Sequence, residues 1–139
     1  MDSGHINKSI TGFVRNTLGC GCPDEVFEKI EYENLSDTGQ LSNVFRINIG
    51  DTLLVYIVRI TVEDDCELIV RQLLIKGKDD RDHHGFNRFR LVLAGNEGMK
   101  KMAGLQKLFE SLANGDKKLH LHFVKPDLLK NTNFMCLVR

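Results

Sequence analysis

Residues 44–60 read VFRINIGDTLLVYIVRI, and this stretch limits the fold more than any other. Phe45, Ile47 and Ile49 alternate with Arg46 and Asn48, the two-residue period of a half-buried strand. Gly50-Asp51 supplies a tight turn, and a near-continuous β run follows to Ile60. The expected product is a β-hairpin. Its longest unbroken apolar run, Leu53 to Val58, is far too short to span a membrane.

Two short helices are expected before the hairpin. Ile6, Ile10, Phe13, Val14 and Leu18 recur at helical spacing, and Gly19 can close that helix. Pro23, Asp24 and Glu25 suit a first turn, so a second helix is expected from Asp24 to Tyr32. After the hairpin, Thr61 and Asp64 resemble a capping pair. Cys66, Ile69, Val70, Leu73 and Leu74 then share one helix face, which makes Cys66 a core residue. GKDDRDHHGF reads as a polar loop leading to a strand at residues 87–94. Asn96 opens a long helix that Gly115 ends, and a last strand covers residues 118–124.

The fold class is therefore α/β with an α+β-like start. It comprises a mixed four-stranded sheet with one hairpin and two βαβ crossovers, preceded by two short helices. Crossovers of one hand place both later helices on the same side of the sheet. A chain of 139 residues suits one domain, residues 1–139. It divides into an N-terminal helical segment (1–43), a sheet core (44–125) and a tail (126–139).

Formal net charge is zero, which disfavours long-range attraction of the whole molecule to nucleic acid or membrane. The N-terminal residues lack the apolar core of a secretory signal. The four cysteines form no dense framework, so reduced thiols in a cytoplasm are expected.

Two candidate sites emerge. The first is Cys20-Gly21-Cys22, immediately before Pro23. Two thiolates can ligate zinc or an iron–sulfur cluster, and a helix start can depress a thiol pKa for redox or sulfur-transfer chemistry. They can equally be small apolar residues in a turn. His120 and His122 lie two apart on a strand and point the same way, so a Cys2His2 set is chemically sensible. His83 and His84 read as loop residues, and Cys136 as either a further thiol donor or a buried residue.

The second candidate is a sheet face. If the long helices cover Phe45, Ile47, Phe89, Leu91, Leu93, Leu119, Leu121 and Phe123, the other face carries Arg46, Asn48, Arg88, Arg90, His120 and His122. Arg59 joins that face if Leu54, Tyr56 and Val58 point inward. Such a basic surface could be covered by the acidic segment Asp24–Asp37, could form a homodimer, or could take an anionic ligand or protein partner. RNA would need stacked aromatics among the arginines, and none occupies a matching position.

The leading functional expectation is a small cytosolic accessory protein using Cys20 and Cys22 for metal binding or thiol chemistry. The alternative is a non-catalytic homo-oligomeric or ligand-binding module using the basic face.

Overall fold

The computed structural model describes residues 29–34, 44–60, 66–95 and 99–125. Their elements in chain order are β1 (Ile30–Asn34), β2 (Val44–Ile49), β3 (Leu53–Arg59), α1 (Cys66–His84), β4 (Arg88–Ala94), α2 (Met99–Ala113) and β5 (Leu119–Val124). The strands make one sheet in the order β1-β2-β3-β4-β5. The first two pairings are antiparallel and the last two parallel. The mixed α/β class is as expected, but among the described residues the sheet has five strands rather than four. The added strand is β1, which occupies residues expected to close the second helix. Ile30 and Tyr32 pair with Ile49 and Ile47, so the apolar positions of this segment serve a sheet edge. The first expected helix, and residues 24–28 of the second, lie outside the described residues.

Both crossover helices pack on the same face, as right-handed connections require. That face carries Val44, Leu54, Tyr56, Val58, Phe89, Leu91, Leu93, Leu119 and Leu121. It meets Cys66, Val70, Leu73 and Leu74 of α1 and Leu105, Phe109 and Ala113 of α2. Helical spacing of those apolar residues produces the contact stripe.

The opposite face is buried as well. Phe45, Ile47, Ile49, Leu53, Val55, Ile57 and Val92 are all at most 1% exposed. Two-sided burial explains why LLVYIV is apolar without alternation, as in the central strands of parallel sheets.

The hairpin turn decides which side chains share a face. Gly50 and Asp51 both adopt positive φ, 60° and 54°, which glycine and aspartate tolerate best. Thr52 also belongs to the turn: its N–H donates to the Ile49 carbonyl at 3.0 Å and its hydroxyl to the Gly50 carbonyl at 3.0 Å. Ile49 therefore pairs with Leu53, and Arg46 with Tyr56. Arg46 and Asn48 consequently lie on the helix-covered face, and Phe45 and Ile47 on the other, the reverse of the expected assignment. A single residue of register moves a whole strand's side chains across the sheet.

The stretch expected as a polar loop is mostly helix, since α1 continues to His84. Its inward stripe simply changes from apolar to polar, running Leu73, Leu74, Gly77 and Arg81. Gly77 lets the helix backbone lie against the Phe89 ring, where an added methyl group would overlap the ring. Arg81 is buried and reaches Asp116 at 2.8 Å, tying α1 to the loop after α2. Gly85, at φ 74°, ends the helix.

Candidate functional site

Two polar clusters follow from this framework, one on each face of the sheet. The first is Arg46, Tyr56, Asp80 and His84 on the helix side. Arg46 donates to both carboxylate oxygens of Asp80, Nε to Oδ2 at 2.7 Å and Nη2 to Oδ1 at 3.0 Å. The Tyr56 hydroxyl donates to Oδ2 at 2.6 Å, and His84 Nδ1 lies 2.8 Å from Oδ1. Burial raises the Asp80 carboxyl pKa, but the hydrogen bonds from Arg46 and Tyr56 and the nearby cationic charge outweigh it and leave the pKa lowered. Burial, then the adjacent carboxylate, pushes the Tyr56 phenol far above its ordinary range. The Arg46 guanidinium also lies over the Phe86 ring, 5.7 Å from its centroid. A cavity of about 290 Å³ lies between α1 and α2, lined in part by Leu74, Lys78, Asp82 and Leu112. A further cavity of about 270 Å³ opens beside Tyr56, Lys76, Asp79, Asp80, His83 and His84. The Arg46–Asp80 pair is bidentate and mutually satisfied, so the cluster reads as a clamp between helix and sheet. Local sequence reading misses it because the charged run GKDDRDHHGF resembles a loop. The available signal was the continuation of the Leu73–Gly77 stripe to Asp80 and His84.

The second cluster lies on the opposite face, at the starts of β4 and β5. Arg88 and Arg90 are two apart on β4, His120 and His122 two apart on β5, and Arg90 pairs in register with His120. Arg90 Nη1 lies 2.8 Å from His122 Nε2. A guanidinium can only donate, so His122 accepts through Nε2 and carries its proton on Nδ1. Burial, then Arg90 and His120, lowers the His122 pKa to about 4. Burial, then Arg90 and Arg88, lowers the His120 pKa, partly offset by Asp116. Burial and the charge of Arg88 also lower the pKa of Arg90. His120 Nε2 is buried with no hydrogen-bond partner among the described residues.

The other expected site residues are dispersed. Arg46 belongs to the helix-side clamp, and Asn48 caps the hairpin by accepting from the Asp51 N–H at 2.8 Å. Arg59 does share the face of Arg88 and Arg90, because Leu54, Tyr56 and Val58 point toward the helices. Yet it pairs with Ala94, whereas Arg88 pairs with Leu53 and Arg90 with Val55, so about 20 Å of strand separates Arg59 from the level of Arg88 and about 13 Å from that of Arg90. His83 and His84 end α1 rather than occupying a loop. Glu31 pairs in register with Asn48 and hydrogen-bonds it at 3.1 Å, so this acid stays at the far edge of the sheet. Cys20, Cys22 and Cys136 lie outside the described residues.

The sign of the local field distinguishes the chemistries open to His120 and His122. Neighbouring arginines that resist imidazole protonation also resist a divalent cation. The lone pair of His122 Nε2 is, moreover, already engaged by Arg90. Among the described residues no group of three His, Cys, Asp or Glu side chains could hold a metal ion. An anion would meet the opposite conditions: guanidinium groups attract it, and neutral imidazoles add no charge against it. Among the described residues Asp116 is a nearby acid, and its charge is already engaged by Arg81.

Fold and corner together describe a mixed α/β domain with a basic, partly buried patch beside the β5 edge. No protein-family model matches the chain, and no curated protein or solved structure is significantly similar to it. Among the described residues no helix is long and apolar enough to cross a membrane.

Proposed function

We propose that this protein is a binding module that receives an anionic group of a partner at Arg88, Arg90, His120 and His122. One observation carries the reading: four cationic or protonatable side chains share a face of two adjacent strands, with Arg90 in contact with His122. Two arginines supply planar, permanently charged donors suited to carboxylate or phosphate oxygens. Stacking two copies face to face would oppose like charges, so the partner is a different, acidic molecule.

The test is histidine NMR on the full chain, titrated with pH in the absence and presence of inorganic phosphate. Phosphate is expected to raise the His120 and His122 pKa values by about one unit, the linkage expected of an anion that binds the protonated rings tighter. Arg88→Glu is expected to weaken phosphate binding roughly five- to tenfold, a modest effect because Arg88 is exposed. Unmoved histidines, or wild-type affinity in Arg88→Glu, would refute the reading.

A second reading rests on the sequence Cys20-Gly21-Cys22-Pro23, which pairs two thiols at an expected helix start. On this reading Cys20 and Cys22 bind zinc or an iron–sulfur cluster, or exchange sulfur. Protein purified without chelator would carry metal that the double variant Cys20→Ser/Cys22→Ser loses. Metal-free wild type whose thiols also resist a thiol-reactive dye would eliminate it.

A further inference from the structure

The outer edge of β5 extends the argument, because it borders the basic corner. Phe89 N–H donates to the Lys118 carbonyl at 3.0 Å, and Gly95 N–H to the Val124 carbonyl at 3.1 Å. In a parallel ladder these bonds mean that the even-numbered residues of β5 turn their backbone groups toward β4. Leu119, Leu121 and Phe123 therefore turn theirs away from the sheet. The Leu119 N–H is used within the preceding turn, by the Asp116 carbonyl at 3.4 Å. The outward groups of Leu121 and Phe123 remain, and no described strand pairs with them.

Among the described residues, nothing fills the space beside that edge. A cavity of about 490 Å³ runs along it, lined by Gln106, Phe109, Glu110 and Ala113 of α2 and, among others, by Leu119, His120, Leu121 and His122 of β5. Its helix side is apolar at the buried Phe109 and Ala113 and polar at Gln106 and Glu110. Its other side borders the cationic corner. A row of free backbone groups beside such a groove is the arrangement that accepts an added strand.

We infer that the partner binds as an extended acidic polypeptide segment that pairs with the outer edge of β5. The inference rests on the anionic-partner reading and specifies the chemistry of that partner. Successive side chains of an added strand point to opposite faces. One set would enter the groove against Phe109 and Ala113. The other would lie directly beside His120 and His122, within reach of the arginines, where carboxylates are favoured. The preferred segment thus alternates apolar and acidic residues. A second copy of this chain fits less well. Pairing β5 with itself would set two basic corners side by side on one continuous face, or turn one corner over to the wrong face.

The test uses a blocked seven-residue peptide of alternating glutamate and valine, with a lysine-for-glutamate peptide as control. Amide hydrogen exchange of the full chain is followed by NMR. The glutamate peptide is expected to slow exchange at Leu121 and Phe123 at least tenfold and to shift the His120 and His122 resonances. The lysine peptide is expected to do neither, and Arg88→Glu is expected to lose most of the protection. Equal protection by both peptides would overturn the charge selectivity that the inference requires. Histidine shifts with phosphate but no amide protection by the glutamate peptide would overturn strand addition alone, leaving the anionic reading intact. Silence of the histidines toward phosphate and peptide alike would overturn both. Protection of the same amides that rises with protein concentration without peptide would identify a second copy as the occupant and overturn the acidic-segment assignment.

Discussion

Replacing Asp80 with alanine is expected to destabilise the fold by about 3 kcal/mol, the scale for breaking a largely buried ion pair from one side. The carboxylate accepts two hydrogen bonds from Arg46 and one from Tyr56. Its side chain is only 12% exposed and that of Arg46 only 16%. Truncation therefore removes the bidentate acceptor of the Arg46 guanidinium and the acceptor of the Tyr56 phenol, in surroundings that solvate both poorly. A denaturant titration measures the effect as a lower midpoint at unchanged slope. The double variant Arg46→Met/Asp80→Leu should recover part of the loss, since it removes the buried charge along with its counter-ion, while the Tyr56 hydroxyl still lacks its acceptor. A loss below about 1 kcal/mol in Asp80→Ala would show that the clamp does not operate, because that is the range of exposed pairs.

The second large effect reverses an ordinary rule. Glycine inside a helix usually costs about 1 kcal/mol relative to alanine, so Gly→Ala there normally stabilises. Gly77→Ala is expected to destabilise instead, by about 2 kcal/mol, because overfilling a packed core outweighs the gain in helix propensity. The added methyl group would overlap the Phe89 ring. That ring has little room to move: Phe89 is fully buried and packs edge-on against Tyr56 at a centroid distance of 5.0 Å. Thermal unfolding of the single variant, and of Gly77→Ala combined with Phe89→Leu, separates the causes. Partial rescue by the smaller residue supports the steric account. A higher melting temperature for Gly77→Ala alone would contradict it.

These sites also show where the sequence was readable. The hairpin, the apolar stripe of α1, strands β4 and β5 and the glycine closing α2 all follow from local periodicity and turn chemistry. They depend on residues close together in the chain. The face of β2 does not. Alternation separates Arg46 from Ile47, but which of them meets the helices depends on whether the turn holds two residues or three. Thr52 supplies the third, and its place in the turn is set by bonds from Asn87 and Arg88 to its carbonyl as well as its own bond to Ile49. Burial on both faces removed the usual guide, since neither side of β2 faces water throughout. The polar half of α1 was obscured for a related reason: Asp80 and Arg81 face inward because distant partners, Arg46 and Asp116, receive them. β1 was misread because acids after a proline suit a helix start locally, while Ile30 and Tyr32 gain more by completing the sheet.

For the candidate site, the grouping of Arg88, Arg90, His120 and His122 on one face was legible from the period of β4 and β5. The contact between Arg90 and His122 was not, nor was the open edge beside it, since both depend on the register of parallel strands. Arg46 and Arg59 were drawn into the same surface by alternation alone. Register places one on the other face and the other at the far end.

Binding of an anionic partner at this corner requires the imidazole of His122 to lie in a positive, poorly hydrated setting. Its acidity can be read directly from the pH dependence of its ring Cε1–Hε1 signal in the free protein, with Arg90 and His120 as the groups acting on it. The account predicts a ring still neutral at about pH 5 and titrating near pH 4. Titration at or above the ordinary histidine value of about 6.5 would mean that the corner is neutral or acidic overall, and the anionic partner would have no basis.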